Sequence, residues 1–274
     1  LHVNPFAFEI VFISEINMRN RLLPYCTAAF LGLFATPAMA GVITNMTFDT
    51  DPILSDTPAP GVWYTDRAAP ASFDSVAFMG DQRLRLGLSA ADAASGFTAT
   101  QGRGFDTPGA TRLSIDMFIA SEWQLLPADE RIGGIWGVGL DINGDRSLFP
   151  IIEFFDSQFQ VFDSIDGGDG TGWRPAGLPG GFLFDEFANL AIELNAGVVD
   201  FFINGSRIAT EEIGSTVELG SVILQGINSP EGVNRDLYFD NFIASSAMDV
   251  PEPSALLILF GGLVGLGVAT RRRR

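Results

Sequence analysis

Through the middle of this chain, apolar positions recur every second residue in short runs rich in Val, Ile, Leu and Phe. The clearest is Arg112-Leu-Ser-Ile-Asp-Met-Phe118, in which polar and apolar side chains alternate as they must along a strand with one buried face. Comparable runs predict strands over residues 42–48, 75–79, 83–88, 135–142, 149–155, 158–162, 189–194, 198–203, 217–227 and 237–244. The breaks between them are turn chemistry: Gly80-Asp81, Asn143-Gly144, Asp156-Ser157, Asn195-Ala-Gly197 and Asn204-Gly205. Helical periodicity is almost absent here. Short strands separated by turn residues predict an all-β antiparallel sandwich or barrel rather than alternating strands and helices.

The two ends follow a different pattern. Arg19 and Arg21 precede an apolar run over residues 22–34, and Ala38-Met39-Ala40 gives a small-x-small site before Gly41. This is the pattern of a secretory signal peptide over residues 18–40, and it implies the secretion translocon and signal peptidase as partners. Residues 1–17 fall outside that pattern. They are read as a start placed upstream of a true start at Met18, or as a genuine extension. Cys26 lies within the apolar run rather than after it, which argues against lipid attachment. At the other end Pro251-Glu252-Pro253 keeps the chain extended. An uncharged apolar stretch over residues 254–270 follows, then Arg271 to Arg274. As a helix, that stretch reaches roughly 25 Å, a short crossing of a hydrocarbon core of about 30 Å. The arginines resist translocation. The expectation is a single short transmembrane helix, with the inner membrane a transient partner.

Composition narrows the chemistry of the body, residues 41–249. The chain's only His and only Cys are His2 and Cys26, and it contains no Lys. The body therefore cannot assemble a Ser-His-Asp triad, a Cys nucleophile or a Schiff base. It cannot hold zinc through imidazole or thiolate either. The whole chain carries a formal charge of −17; trimming both ends leaves 30 acidic side chains against 10 arginines. A charge near −20 excludes nucleic acid as a partner, because phosphates are repelled. It is compatible with divalent cations, or simply with solubility outside the cell.

Three sequence features resemble known families. The tail from Val250 to Arg274, with its Pro-Glu-Pro, apolar stretch and arginine cluster in order, resembles the PEP-CTERM sorting signal of Gram-negative bacteria. The resemblance implies processing by an exosortase near Pro251, Glu252 and Pro253. It also implies export to the cell surface or to an extracellular polymer matrix. Val199-Asp-Phe-Phe-Ile-Asn-Gly-Ser-Arg-Ile208 resembles the FxxNGxxI strand–turn–strand element of concanavalin A-like jelly rolls. Asp236-Leu-Tyr-Phe-Asp-Asn-Phe-Ile-Ala244 is similar to the last strand of that superfamily, which laminin-G-like domains share. This second resemblance covers residues 110–245 and implies a jelly-roll-like sandwich.

Candidate sites are few. Asp141, Asn143 and Asp145 set oxygen ligands at alternate positions around Gly144, a spacing that suits Ca²⁺; the alternative is an ordinary Asn-Gly turn with solvated carboxylates. The Gly-rich stretch over residues 163–172 adds Asp166 and Asp169 as a calcium- or sugar-binding loop, or as a solvent loop. Trp123 and Trp173, beside loop residues, are candidate platforms for sugar stacking, whereas Trp136 reads as core. Some jelly-roll glucanases carry Glu-x-Asp-x-x-Glu on one strand. Here Glu153-Phe-Phe-Asp156 has no second Glu in place, and the sequence points away from an enzyme. The reading is a noncatalytic protein of the cell surface or extracellular matrix, with exopolysaccharide as a candidate partner. A carbohydrate-binding module, calcium-assisted or not, is the alternative, and a glycoside hydrolase of unfamiliar motif comes third.

Overall fold

The computed structural model describes residues 41–92, 100–126, 131–165, 172–227 and 234–246. The predicted signal peptide with Ala38 and Ala40, the apolar stretch at 254–270, Pro251, Glu252 and Pro253, and Asp166 and Asp169 lie outside them. Among the described residues no helix is long and apolar enough to cross a membrane.

The strands in chain order are β1 (Gly41–Met46), β2 (Leu54–Ser55), β3 (Trp63–Thr65), β4 (Ser72–Phe78), β5 (Asp81–Leu88), β6 (Thr100–Asp106) and β7 (Arg112–Ile119). They continue as β8 (Arg131–Asp141), β9 (Arg146–Leu148), β10 (Ile151–Phe155), β11 (Gln158–Asp163) and β12 (Gly172–Gly177). The last are β13 (Glu186–Asn195), β14 (Val198–Ile203), β15 (Ser206–Glu212), β16 (Thr216–Ile227) and β17 (Arg235–Ser246). Two single-turn 3₁₀ helices, Ala90–Asp92 and Ser121–Leu125, complete the description. The strands form two sheets. An eight-stranded sheet runs β15-β14-β13-β7-β17-β5-β4, with β1 added on β17. A nine-stranded sheet runs β12-β11-β10-β8-β16-β6-β3-β2, with β9 added on β8. All pairings are antiparallel except β2 with β3.

All eleven predicted strands exist, several longer than expected, and β15 continues the second arm of the FxxNGxxI element. The sequence reading missed β2, β3, β6, β9 and β12. Thr100-Gln-Gly-Arg-Gly-Phe-Asp106 of β6 carries two glycines and a charge, so it lacks an apolar alternation, yet it lies inside the nine-stranded sheet. Neighbouring strands impose its conformation. At two of the predicted hairpins the turn residues take positive φ: Asp156 and Ser157 between β10 and β11, and Asn204 and Gly205 between β14 and β15. That backbone twist matches the twist of the flanking strands.

Inward-facing side chains of both sheets form one core, including Leu84, Leu113, Ile115, Phe154, Phe159, Phe201 and Phe239. At one end Trp63 is the hub. Its ring lies 5.1 Å from Phe105, 5.2 Å from Phe73, 5.7 Å from Phe242 and 6.2 Å from Phe48, tilted or edge-on to each. It thereby joins β3 and β6 of one sheet to β4 and β17 of the other. The start of β1 pairs with the end of β17, so Gly41 lies opposite Ser246.

Replacing Trp63, which is 1% exposed, by Ala removes the hub. The expected loss is roughly 3 to 5 kcal/mol in urea denaturation, with Trp63→Phe losing much less. A loss below about 1 kcal/mol for Trp63→Ala would contradict this packing.

Candidate functional site

Alternation along the strands of the nine-stranded sheet creates a second, outward-facing layer. Ile152 and Phe154 of β10 point into the core, which turns Ile151 and Glu153 outward. Strand register then lines up two rows across the sheet. The first runs Trp173, Phe162, Ile151, Trp136, Ile223, Gly104 and Tyr64, each the cross-strand partner of the next. The second runs Pro175, Gln160, Glu153, Gly134, Gln225 and Gly102. One row is aromatic and apolar, the other polar. Gly104 is required where it stands, because a Cβ there would come within 2.6 Å of the Tyr64 ring.

The polar row is buried. Glu153 is fully enclosed; Arg131 donates to it twice, Nε to Oε1 at 2.6 Å and Nη2 to Oε2 at 2.8 Å. The Gln160 amide donates to Oε1 as well. Burial pushes the Glu153 carboxyl above its ordinary value, against the opposing pull of Arg131 and Gln160. The Arg131 guanidinium lies 4.6 Å from the centroid of the Trp173 ring. Gln225 is also fully buried, and neither its amide nitrogen nor its amide oxygen has a hydrogen-bond partner. Beyond Trp136 the face ends in a small pocket of about 60 Å³, lined by Tyr64, Asp66, Arg67, Trp136, Arg146 and Ser221 among others.

The structure places the sequence-derived candidates apart from one another. Trp173 lies on this face, half-buried beside Phe162 at 5.2 Å between ring centroids. Trp123, expected at the surface, is instead core. The 3₁₀ turn Ser121–Leu125 folds it inward against Phe154, leaving it 4% exposed. Trp136, expected in the core, is buried on the outer face, where Arg67 covers it at 4.3 Å. Asp141, Asn143 and Asp145 share the β8–β9 turn. There the Asp141 carboxylate accepts the backbone N–H of Asn143 at 2.8 Å and of Asp145 at 2.9 Å. These bonds hold its carboxyl below the usual range. Among the described residues no group of three or more His, Cys, Asp or Glu is arranged to hold a metal. Sequence reasoning missed Arg131, Gln160, Gln225, Tyr64, Asp66, Arg67 and Arg146. Their meeting depends on register across six strands, and only the outward alternation of β10 hinted at it.

The buried pair makes a measurable prediction. Arg131→Gln leaves the Glu153 carboxylate without its cation, and at neutral pH the expected loss of stability is roughly 3 to 5 kcal/mol. A carboxyl whose folded pKa is raised stabilises the fold while protonated and loses that contribution as pH rises through the folded pKa. The deficit of Arg131→Gln should therefore shrink as pH falls toward the ordinary glutamate range. A deficit independent of pH in thermal melts would contradict the arrangement. Separately, Asp141→Ala should lower the melting temperature equally in calcium and in EDTA, since the lost contacts are the turn's own. A loss seen only with calcium would assign the turn to the cation.

Comparisons with known proteins agree with this architecture. The fold is similar to that of a GlcNAcα1-4Gal-releasing endo-β-galactosidase from Clostridium perfringens, with a TM-score of 0.54 and 12% identity over 78% of this chain. The match spans 65% of that enzyme, so the chain covers less than two thirds of it. The fold is also similar to the catalytic domain of an endo-1,3-β-glucanase (laminarinase) from Thermotoga petrophila, with a TM-score of 0.50 and 12% identity over 77% of this chain and 100% of that one. A laminarinase catalytic domain from Thermotoga maritima gives a TM-score of 0.50 and 11% identity over 77% of this chain and 99% of that one. A search of curated protein sequences finds no match. These likenesses correct the expectation of a non-enzyme: the fold houses glycoside hydrolases and is compatible with enzymatic function. The absence of a second Glu after Glu153-Phe-Phe-Asp156 had weighed against catalysis, and the lack of His, Cys and Lys does not bear on it, because glycoside hydrolysis by paired carboxylates requires none of them. At the C-terminus, residues 249–274 match the PEP-CTERM protein-sorting motif, which implies an exosortase-sorted, exported protein with a cell-surface or extracellular destination. The chain thus carries a PEP-CTERM sorting motif behind an all-β antiparallel sandwich with a jelly-roll-like fold.

Proposed function

We propose that this is a protein of the cell surface or extracellular matrix whose jelly roll engages carbohydrate on the outer face of its nine-stranded sheet. The signal peptide over residues 18–40 routes it through the translocon. Signal peptidase leaves Gly41 as the first residue, and the apolar stretch at 254–270 holds the chain in the inner membrane until exosortase acts near Pro251-Glu252-Pro253. Exopolysaccharide is the partner class.

The observation that carries the carbohydrate reading is the pairing of an aromatic row with a polar row on one face. Sugars present apolar C–H faces, which stack on rings such as those of Trp173 and Phe162. They also present hydroxyls, which need polar partners at the surface such as the half-buried guanidinium of Arg131, held in place from below by the enclosed Glu153. The adjacency of Gly41 and Ser246 supports the routing reading, because the proposed first residue of the exported body lies beside the last strand before the sorting motif.

Two experiments test the proposal. Full-length protein in detergent, applied to a glycan array, should bind a restricted set of polysaccharides. Trp173→Ala should weaken that binding at least about fivefold while leaving the melting temperature within a few degrees. Mass spectrometry of the bound glycans distinguishes retention from cleavage. Binding that is indifferent to Trp173→Ala would refute the face as the site. In cells of the native host, alanines at Pro251, Glu252 and Pro253 should trap an unprocessed membrane form, and normal processing would refute sorting through this motif.

A further inference from the structure

We propose that the outer face of the eight-stranded sheet is a second carbohydrate-binding surface, so that one molecule joins two neutral polysaccharide strands. The inference takes its ligand class from the carbohydrate reading above and adds a site on the opposite side of the sandwich.

The face follows from the same alternation. Ile115 and Met117 of β7, Ala188 and Leu190 of β13, and Leu237 and Phe239 of β17 point into the core. Asp116, Phe118, Phe187, Asn189, Tyr238 and Asp240 therefore point away from it. Four rings gather there. Phe78 stacks on Tyr238, with centroids 3.7 Å apart and planes 7° apart, and meets Phe118 edge-on at 4.9 Å. Phe118 in turn meets Phe187 at 5.6 Å. All four are half-buried, so each keeps part of its surface in water. The outer face of an antiparallel sheet is ordinarily polar, and a cluster of rings standing in water marks a place of contact.

Beside the rings lies a polar row at the surface. Asn189, Asp116 and Asp240 are successive cross-strand partners. The Asn189 amide donates to Asp116 Oδ1 and the Asn241 amide to Asp116 Oδ2, each at 2.8 Å. Asn241 stands at φ 50° where the register of β17 shifts, and it is exposed, with Asp116 half-buried beneath it. A carboxylate offers about four acceptor positions, of which these amides take two, and each amide brings a carbonyl oxygen and a second N–H beyond the bond it makes.

Charge selects the occupant. Arg83 is paired with Asp81 at 3.0 Å and Asp240 at 2.6 Å, and Arg85 with Asp74 at 2.9 Å. The face thus closes its own ion pairs, and what it turns outward is rings, a carboxylate and amides. That set fits sugars, whose C–H faces lie on rings and whose hydroxyls both donate and accept. A second copy of this chain would bring another body with 30 acidic side chains against 10 arginines, and a polyanion would be repelled in the same way. The two sheets pack about 10 Å apart with their outer faces turned in opposite directions, so a straight strand held on one face cannot reach the other. Two sites so placed link two strands.

Calorimetric titration of the full chain in detergent tests this with laminarihexaose, cellohexaose, maltohexaose and the cationic chitosan hexamer. At least one neutral hexamer should occupy two sites on each molecule. Trp173→Ala should remove one of them and Tyr238→Ala the other. Asn241→Gly, which keeps the left-handed backbone, should weaken the second site at least about fivefold while the melting temperature stays within a few degrees. With the long-chain form of the same glucan, light scattering should pass through a maximum as protein is added, and neither single-site variant should show that maximum. A single neutral site that Trp173→Ala removes would overturn the inference and leave the carbohydrate reading standing. Two sites indifferent to both Tyr238→Ala and Asn241→Gly, a second site that takes only the chitosan hexamer, or self-association that Tyr238→Ala abolishes would each overturn it as well. If no hexamer binds, both readings fail.

Discussion

Burial of one face of each sheet against the other is the constraint on which the rest of this structure depends. Leu113, Ile115 and Met117 on β7, and Ile152 and Phe154 on β10, are held inside because water excludes them. A strand has a side-chain period of two, so locking those residues inward also determines which residues look outward. Glu153 faces away from the core because its two neighbours cannot. A slip of one residue in β10 would invert the arrangement and place Glu153 between the sheets. The candidate site is in this sense a by-product of core packing, and Trp63, touching four Phe rings from both sheets, fastens one end of that core.

The outer layer of the nine-stranded sheet is unusual in that its polar residues are not at the surface. Burying Glu153 is tolerated because Arg131 meets both carboxylate oxygens. Gln225 has no such compensation, and an amide buried without partners is costly. Such costs concentrate where a fold keeps polar groups for use rather than for stability. Arginine placement follows a similar logic. In a strongly acidic body most guanidiniums are neutralised by a neighbour, and Arg146 shares its pocket with the Asp66 carboxylate.

The edges of the sandwich bear on routing. Because β1 ends the chain's N-terminal side and β17 its C-terminal side, their pairing unites the two in one place. The jelly-roll likeness contributes the fold and nothing about the ligand, since the same architecture serves several unrelated glycans in the proteins compared.

Local chemistry was legible in the chain alone wherever a few neighbouring residues carry the whole signal. The alternation in β7 announced a half-buried strand. Asn204-Gly205 announced a hairpin, because Asn and Gly tolerate positive φ. The Pro-Glu-Pro, apolar and arginine order announced the sorting motif without any fold, because a processing enzyme reads such a tail as sequence. What stayed hidden was everything that depends on partners distant along the chain. β6 reads as loop until β16 and β3 flank it. Trp123 is buried where exposure was expected, and Trp136 is buried as expected but in the smaller outer cluster, because burial depends on which layer covers a ring and not on the residues beside it. Glu153, Gln225, Arg131 and Arg146 become one face only when six strands take register. Sequence by itself determined the longer alternating strands, the hairpin turns and the sorting motif; tertiary structure alone decided the remaining strands and which side chains share a surface, because cross-strand register is a property of pairing and not of any single strand.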